Sequence, residues 1–245
     1  MAKINIGLSE PLLQRGYRQN IIWDLEKAPH AALQGATGMG KTYLLKLLLA
    51  RISKNIPNSK ITVCDYKGDR DFEFLDGLED FYRFSECLTG LDTYYENFLS
   101  VQQHGNRTGT AYFLVFDEWA SFLNNLEKKD AAEAKRKLAS LMMLGRSFSC
   151  HVVLSQQRLD AEYFEKARDN INLLITLGNP SRQVVEMFYL DVKEQITNDR
   201  KRGTGFVLTN GTDLQKIVVP EIQSMEKVNR AIYEAVERAG ANNAN

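Results

Sequence analysis

The stretch "LQGATGMGKTYLLKLLL", Leu33–Leu49, sets three glycines, a lysine and a threonine ahead of a leucine-rich run. Gly35, four further residues and then Gly40-Lys41-Thr42 complete the pattern G-x-x-x-x-G-K-[ST],. The pattern needs a buried strand before it and a helix after it, and both neighbours have that character. "HAALQG" is short and apolar, and "KTYLLKLLLARISK" repeats its apolar residues at helical spacing,. In such a loop the main chain of Gly35, Ala36, Thr37, Gly38, Met39 and Gly40 wraps phosphates with its N–H groups, assisted by the partial positive charge of the helix end. Lys41 then reaches the β- and γ-phosphates, and Thr42 offers a hydroxyl to Mg²⁺. A glycine turn that merely starts a helix is the competing reading.

Outward from this loop, short apolar runs alternate with helical ones. "KITVCDY", "AYFLVFDE", "CHVVLSQQ" and "NLLITLG" read as further buried strands, and "GLDTYYENFLSVQQHG" and "EAKRKLASLMMLGRS" as helices,. The alternation predicts an α/β fold with a mainly parallel central sheet flanked by helices. Near the end, "TGFVLTNGTDLQKIVVPEI" reads as a β-hairpin around "TNGTD", followed by a closing helix, "SMEKVNRAIYEAVERAG", ended by Gly240,. With no Pro/Ser-rich linker and no internal repeat, one domain over 1–239 and a disordered tail over 240–245 are expected.

A second landmark is "YFLVFDEW". A carboxylate at the tip of an interior strand, Asp117, suits a hydrated Mg²⁺, and its neighbour Glu118 suits the orientation or deprotonation of an attacking water. Together with the phosphate loop this pair favours ATP hydrolysis over mere binding.

Bulk properties are compatible with this reading. The 245 residues are 44% hydrophobic, and 31 Lys+Arg balance 31 Asp+Glu, which argues against a generic basic nucleic-acid coat,. Cys64, Cys87 and Cys150 are scattered and lack metal-ligand spacing, so a reducing, cytoplasmic setting is the simplest one,. No apolar run approaches the roughly 18 residues a bilayer crossing needs, and "MAKINIGLSEPLL" lacks the features of a secretion signal.

Several segments resemble the FtsK/SpoIIIE and HerA group of DNA-pumping P-loop ATPases. These are the Pro29-His30 pair before the loop's strand, Asp65-Tyr66-Lys67 after the next strand, and Gly145, Arg146, His151, Gln157 and Arg158 in "LGRSFSCHVVLSQQRLDAEYF". "RDNINLLITLGNPS" and "RGTGFVLTNG" continue the likeness, so it covers nearly the whole chain. The wording is most similar to the TcpA-like coupling ATPases of Gram-positive conjugative elements, with Leu159 standing where that family usually has proline. The amino-terminal membrane anchor and carboxy-terminal winged helix of larger relatives are expected to be absent, which would leave membrane attachment and sequence-directed loading to a partner such as a relaxase, a membrane channel or a capsid.

The resemblance implies a RecA-like P-loop NTPase fold, ATP and Mg²⁺ as cofactors, a homo-hexameric ring, and DNA held largely without sequence choice. Within it Gln157 would bond the γ-phosphate or its water, unless it is an ordinary polar strand end. Arg146 leads as an arginine finger reaching the neighbouring subunit's nucleotide, with Arg158 and Arg182 as runners-up. His151 is expected to be a packed strand-start histidine, and Asp65 and Lys67 to be structural at the site's edge. Candidate DNA contacts are Lys128, Lys129, Lys135, Lys137, Lys201 and Arg202, although the same charges also suit a solvated surface. The expected role is a DNA translocase of a mobile element. A viral genome-packaging ATPase and a nucleotide-binding adaptor are the alternatives.

Overall fold

The computed structural model describes residues 3–240. Its elements run β1 (Lys3–Ser9), α1 (Glu10–Gln14), β2 (Asn20–Asp24), β3 (Ala31–Gly35), α2 (Lys41–Asn55), β4 (Ser59–Asp65), β5 (Phe81–Arg83) and α3 (Cys87–His104). They continue as β6 (Ala111–Asp117), α4 (Trp119–Asn125), α5 (Lys128–Leu144), β7 (Cys150–Gln156), β8 (Leu173–Leu177), α6 (Arg182–Phe188), β9 (Thr204–Thr209), β10 (Asp213–Val218) and α7 (Met225–Gly240). Among the described residues one sheet takes the order β2-β1-β10-β9-β8-β3-β7-β6-β4-β5.

From β8 to β5 all neighbours are parallel. These strands read as continuous apolar runs because helices cover both of their faces. Successive residues alternate between two cores, as a pleated strand requires. Leu33, Val115, Val153 and Ile175 pack with α2 and α7 through Leu45, Leu48, Leu49, Ile232 and Val236. Ala32, Leu114, Leu154 and Leu174 pack instead with α3, α4, α5 and α6 through Leu91, Phe98, Trp119, Phe122, Leu138 and Val184. This is the mainly parallel, helix-flanked, RecA-like sheet expected from the sequence, and the five buried runs fall on β3, β4, β6, β7 and β8.

The hairpin also forms, β9 pairing antiparallel with β10 and β8, with Asn210 and Gly211 at positive φ in its turn. Two additions were not anticipated: β1 and β2 extend the sheet beyond β10 as an antiparallel pair, and the short β5 adds a parallel edge strand beside β4. Strand β2 buries Ile21 and Trp23 while exposing Asn20 and Ile22, an alternation too short to stand out in the sequence,. The closing helix extends through Gly240, and the remaining tail residues, 241–245, lie outside the described residues. No helix among the described residues is long and apolar enough to cross a membrane.

Leu159, the departure from proline, is fully buried in the α3–α6 core. His151 is packed as expected: its Nδ1 meets the Pro29 carbonyl at 3.0 Å and its ring stacks on Phe113 at 4.9 Å. His30 Nδ1 accepts the Val152 N–H at 3.1 Å. Burial pushes His151 down to about 4 and His30 to about 3, so both are neutral braces at the amino ends of β3 and β7,.

Candidate nucleotide site

The carboxyl ends of β3, β4, β6 and β7 converge on a cleft of about 280 Å³. Its wall includes Thr37, Gly38, Gly40, Lys41 and Thr42 from the loop, Asp117 and Glu118 from the end of β6, and Gln157 from just beyond β7. Thr37 and Gln157, 120 positions apart in sequence, are thus brought together by the adjacent parallel strands β3 and β7.

The loop itself is shaped by glycine. Gly40 has φ 98°, a conformation L side chains rarely adopt, and it turns the chain into α2,. Gly35 sits so close to β8 that a Cβ there would lie 2.5 Å from the Leu177 carbonyl oxygen. The leucines of α2 anchor the far side: Leu44, Leu45, Leu48 and Leu49 are completely buried. Lys41 is held over the loop by donating from Nζ to the Gly35 carbonyl at 2.7 Å. Burial lowers its pKa, an effect opposed by Glu118 and Asp117.

Asp117 pairs in register with Ser155 of β7 on one side and Asp65 of β4 on the other. Burial, reinforced by the nearby Glu118 and Asp65 carboxylates, pushes Asp117 up to about 7. Such a buried carboxylate fits a divalent cation: Mg²⁺ is held through one or two protein oxygens plus phosphates and water, and the Thr42 hydroxyl lines the same cleft,. Glu118 is 7% exposed and adopts φ 61°, ψ 48°, an uncommon conformation for a residue other than glycine,. Its N–H donates to the Ser155 carbonyl at 2.6 Å, tying the acidic pair to β7.

Gln157 is exposed to the cleft, and its Oε1 accepts the Thr37 hydroxyl at 3.2 Å. Its own carbonyl accepts from Gln34 Nε2 at 3.0 Å. Gln34 was not singled out from the sequence, although a polar side chain in a wholly buried strand is a legible signal. Other cleft residues were missed with less warning. Lys46, 6% exposed, lies over the Phe72 and Phe74 rings and 3.8 Å from Asp71, and Tyr43 and Met225 also line the wall. Asp65 accepts the Gly68 N–H at 3.0 Å and faces Arg83 at 3.7 Å, which makes it a brace of the loop after β4. Lys67 pairs with Asp69 at the cleft's edge.

The three arginines considered for a neighbour's site are separated. Arg146 is exposed beside the start of β7, near Gly109, Ala111 and His151. Since β7 has seven residues, that is roughly 20 Å from the loop end of the sheet at about 3.3 Å per residue. Arg158 and Arg182 stand at the loop end instead, paired with Asp160 at 3.3 Å and with Glu186 at 2.7 Å. Of the proposed DNA-contacting cations, Lys128, Lys129, Lys201 and Arg202 are exposed, and Lys135 lies on the same helix, α5, as the first two. Lys137 is not a free surface charge, because α3 supplies Asp92 at 2.7 Å and its side chain is only 16% exposed. Arg202 lines the nucleotide cleft.

Comparison with known proteins agrees with this fold. The family described as "DUF87: Helicase HerA, central domain" matches residues 13–98. The Ftsk domain-containing protein YdcQ of Bacillus subtilis (strain 168) is 28% identical over 225 residues, which is 83% of this chain and 46% of that protein. The chain therefore spans less than half of that relative. Among solved structures, the conjugation coupling protein TcpA of pCW3 with ATPγS shares the fold at TM-score 0.70 and 16% identity, over 95% of this chain and 70% of that one. The cytoplasmic domain of the type VII secretion ATPase EccC of Thermomonospora curvata gives 0.70 at 19% identity, over 96% and 31%. The genome packaging NTPase B204 of Sulfolobus turreted icosahedral virus 2 gives 0.54 at 15% identity, over 81% of this chain and all of that one.

Proposed function

We propose that this chain, which resembles the FtsK/HerA-type ATPases in sequence and fold, is an ATP-hydrolysing motor domain over 1–239 that moves DNA as part of a homo-hexameric ring. The observation that carries the reading is the meeting, in one cleft, of the Lys41 phosphate loop with both carboxylates of the Asp117-Glu118 pair and with Gln157.

In the proposed reaction the loop N–H groups and Lys41 hold the triphosphate, while Thr42 and Asp117 hold Mg²⁺, which when bound offsets charge on the β- and γ-phosphate oxygens. Glu118 orients the attacking water and takes its proton. Gln157 touches the loop through Thr37 and β3 through Gln34, so a change at the γ-phosphate position is felt by both elements. Arg146 serves only in trans, since its own cleft lies at the other end of the sheet. The exposed Met143 and Leu144 beside it give a subunit contact apolar surface to bury.

The named process is transfer of a mobile element's DNA, supported by the likeness to a conjugation coupling protein and to an Ftsk domain-containing relative. The packaging alternative is favoured by one observation, that the viral NTPase is matched along its entire length. A non-motor adaptor has no need of a strained, buried glutamate beside the phosphate loop. The test is ATP turnover by the purified protein with and without single- and double-stranded DNA. Turnover raised by DNA and lost in Lys41→Ala and Glu118→Gln supports the motor; slow or absent turnover with intact ATP binding supports the adaptor.

A further inference from the structure

Loop residues 199–203 carry three cations that look interchangeable in "NDRKRGTG", and the fold gives each a different fate. Arg200 is paired with Glu10 and Asp199 and lies on the Phe206 ring. Lys201 is exposed and takes no part in the cleft wall. Arg202 is exposed as well, but it lines the nucleotide cleft and also a second pocket of about 290 Å³ formed with Gly40, Tyr43, Gly203, Val219, Pro220 and Glu221. Gly40, Tyr43 and Arg202 line both, so the two cavities adjoin and Arg202 stands on the wall of each.

The loop is fixed in that position by its main chain. Gly203 donates to the Met39 carbonyl of the phosphate loop at 3.1 Å, and the Gly203 carbonyl accepts from Val219 at 2.8 Å. Arg200 N–H bonds Asn179 Oδ1 at 2.9 Å and Lys201 N–H bonds Thr204 Oγ1 at 2.8 Å. Among the described residues Arg202 forms no ion pair, although its neighbour Arg200 forms two. A guanidinium without a carboxylate, on an anchored loop at the wall of a phosphate cleft, has a polyanion as its natural partner.

We infer that Arg202 is a nucleotide-binding residue acting in cis. Its guanidinium donates to the phosphates at the point where the nucleotide leaves the phosphate loop, with the base lodged in the adjoining pocket beside Tyr43, Val219 and Pro220. This rests on the reading of the cleft as a nucleoside triphosphate site, and it removes Arg202 from the surface that would hold DNA. Because the contact is made where the nucleotide leaves the phosphate loop, both diphosphate and triphosphate benefit.

The test is equilibrium binding of fluorescent N-methylanthraniloyl ADP and ATP to wild type, Arg202→Ala, Arg202→Lys and Lys201→Ala, with thermal melting as the folding control. Arg202→Ala should weaken both nucleotides by about tenfold or more, as the loss of a charge-assisted hydrogen bond requires. Arg202→Lys should recover part of this, and Lys201→Ala should bind as wild type. Wild-type nucleotide affinity in a folded Arg202→Ala protein overturns the inference and leaves the ATPase reading intact. A wild-type protein that binds neither nucleotide overturns both.

Discussion

Replacing Asp117 by asparagine isolates the electrostatic tension at the centre of the cleft. Burial raises this carboxyl from its ordinary 3.8 to about 7 in the folded chain. A group whose folded pKa is raised contributes stability that is fully present below its unfolded value and lost as pH rises through the folded one. Here the window runs from about 4 to about 7. Three units at 1.36 kcal/mol each give at most about 4 kcal/mol between those limits. For a domain of this size that is a fall in Tm of roughly 10 °C in metal-free protein on going from about pH 4 to about pH 8. Asparagine keeps the shape and removes the titration, so the variant should lose most of this pH dependence and melt above wild type at about pH 8. Saturating Mg²⁺ with a non-hydrolysable ATP analogue should flatten the wild-type profile, because the cation favours the ionised form. Differential scanning calorimetry with and without chelator measures both effects. Identical pH profiles for the two proteins would refute the account of a buried carboxylate destabilised in its ionised form.

Glu118→Gln should keep nucleotide affinity while lowering kcat by about 10²- to 10⁴-fold, the usual contribution of a positioned general base; single-turnover kinetics separates binding from chemistry. Arg146→Ala should lower kcat only at protein concentrations where subunits assemble, with nucleotide affinity of the monomer unchanged. A loss confined instead to Arg182→Ala or Arg158→Ala would reassign the trans-acting role, and parallel ATPase titrations of the three variants decide it.

The parallel sheet and the phosphate loop were legible because local chemistry dictates them. Interior strands must be apolar on both faces, so β3, β4, β6, β7 and β8 announce themselves, and few backbones other than a glycine-rich turn can wrap phosphates. Strands β1 and β2 were not legible, since an edge strand such as "NIIWD" buries only alternate residues over five positions. The acidic pair could be read from its place after β6, but the αL backbone that seats Glu118 could not. Charged side chains carried the least information. Lys137 and Lys135 look alike in "KRKL", and only the packing of α3 against α5 brings Asp92 to Lys137 from 45 residues away. Arg202 and Lys201 are adjacent in sequence, yet one enters the cleft because Gly203 is tied to Met39. Long-range register made these distinctions, and no local pattern encodes it.

In the proposed motor, hydrolysis in this cleft moves the chain along DNA. This is tested most directly by displacement of streptavidin from end-biotinylated DNA, with single- and double-stranded substrates and an ATP-regenerating system. ATP-dependent displacement is expected on at least one substrate, absent with a non-hydrolysable analogue and absent in Glu118→Gln. An active ATPase whose turnover neither DNA form alters, and which displaces streptavidin from neither, would contradict it.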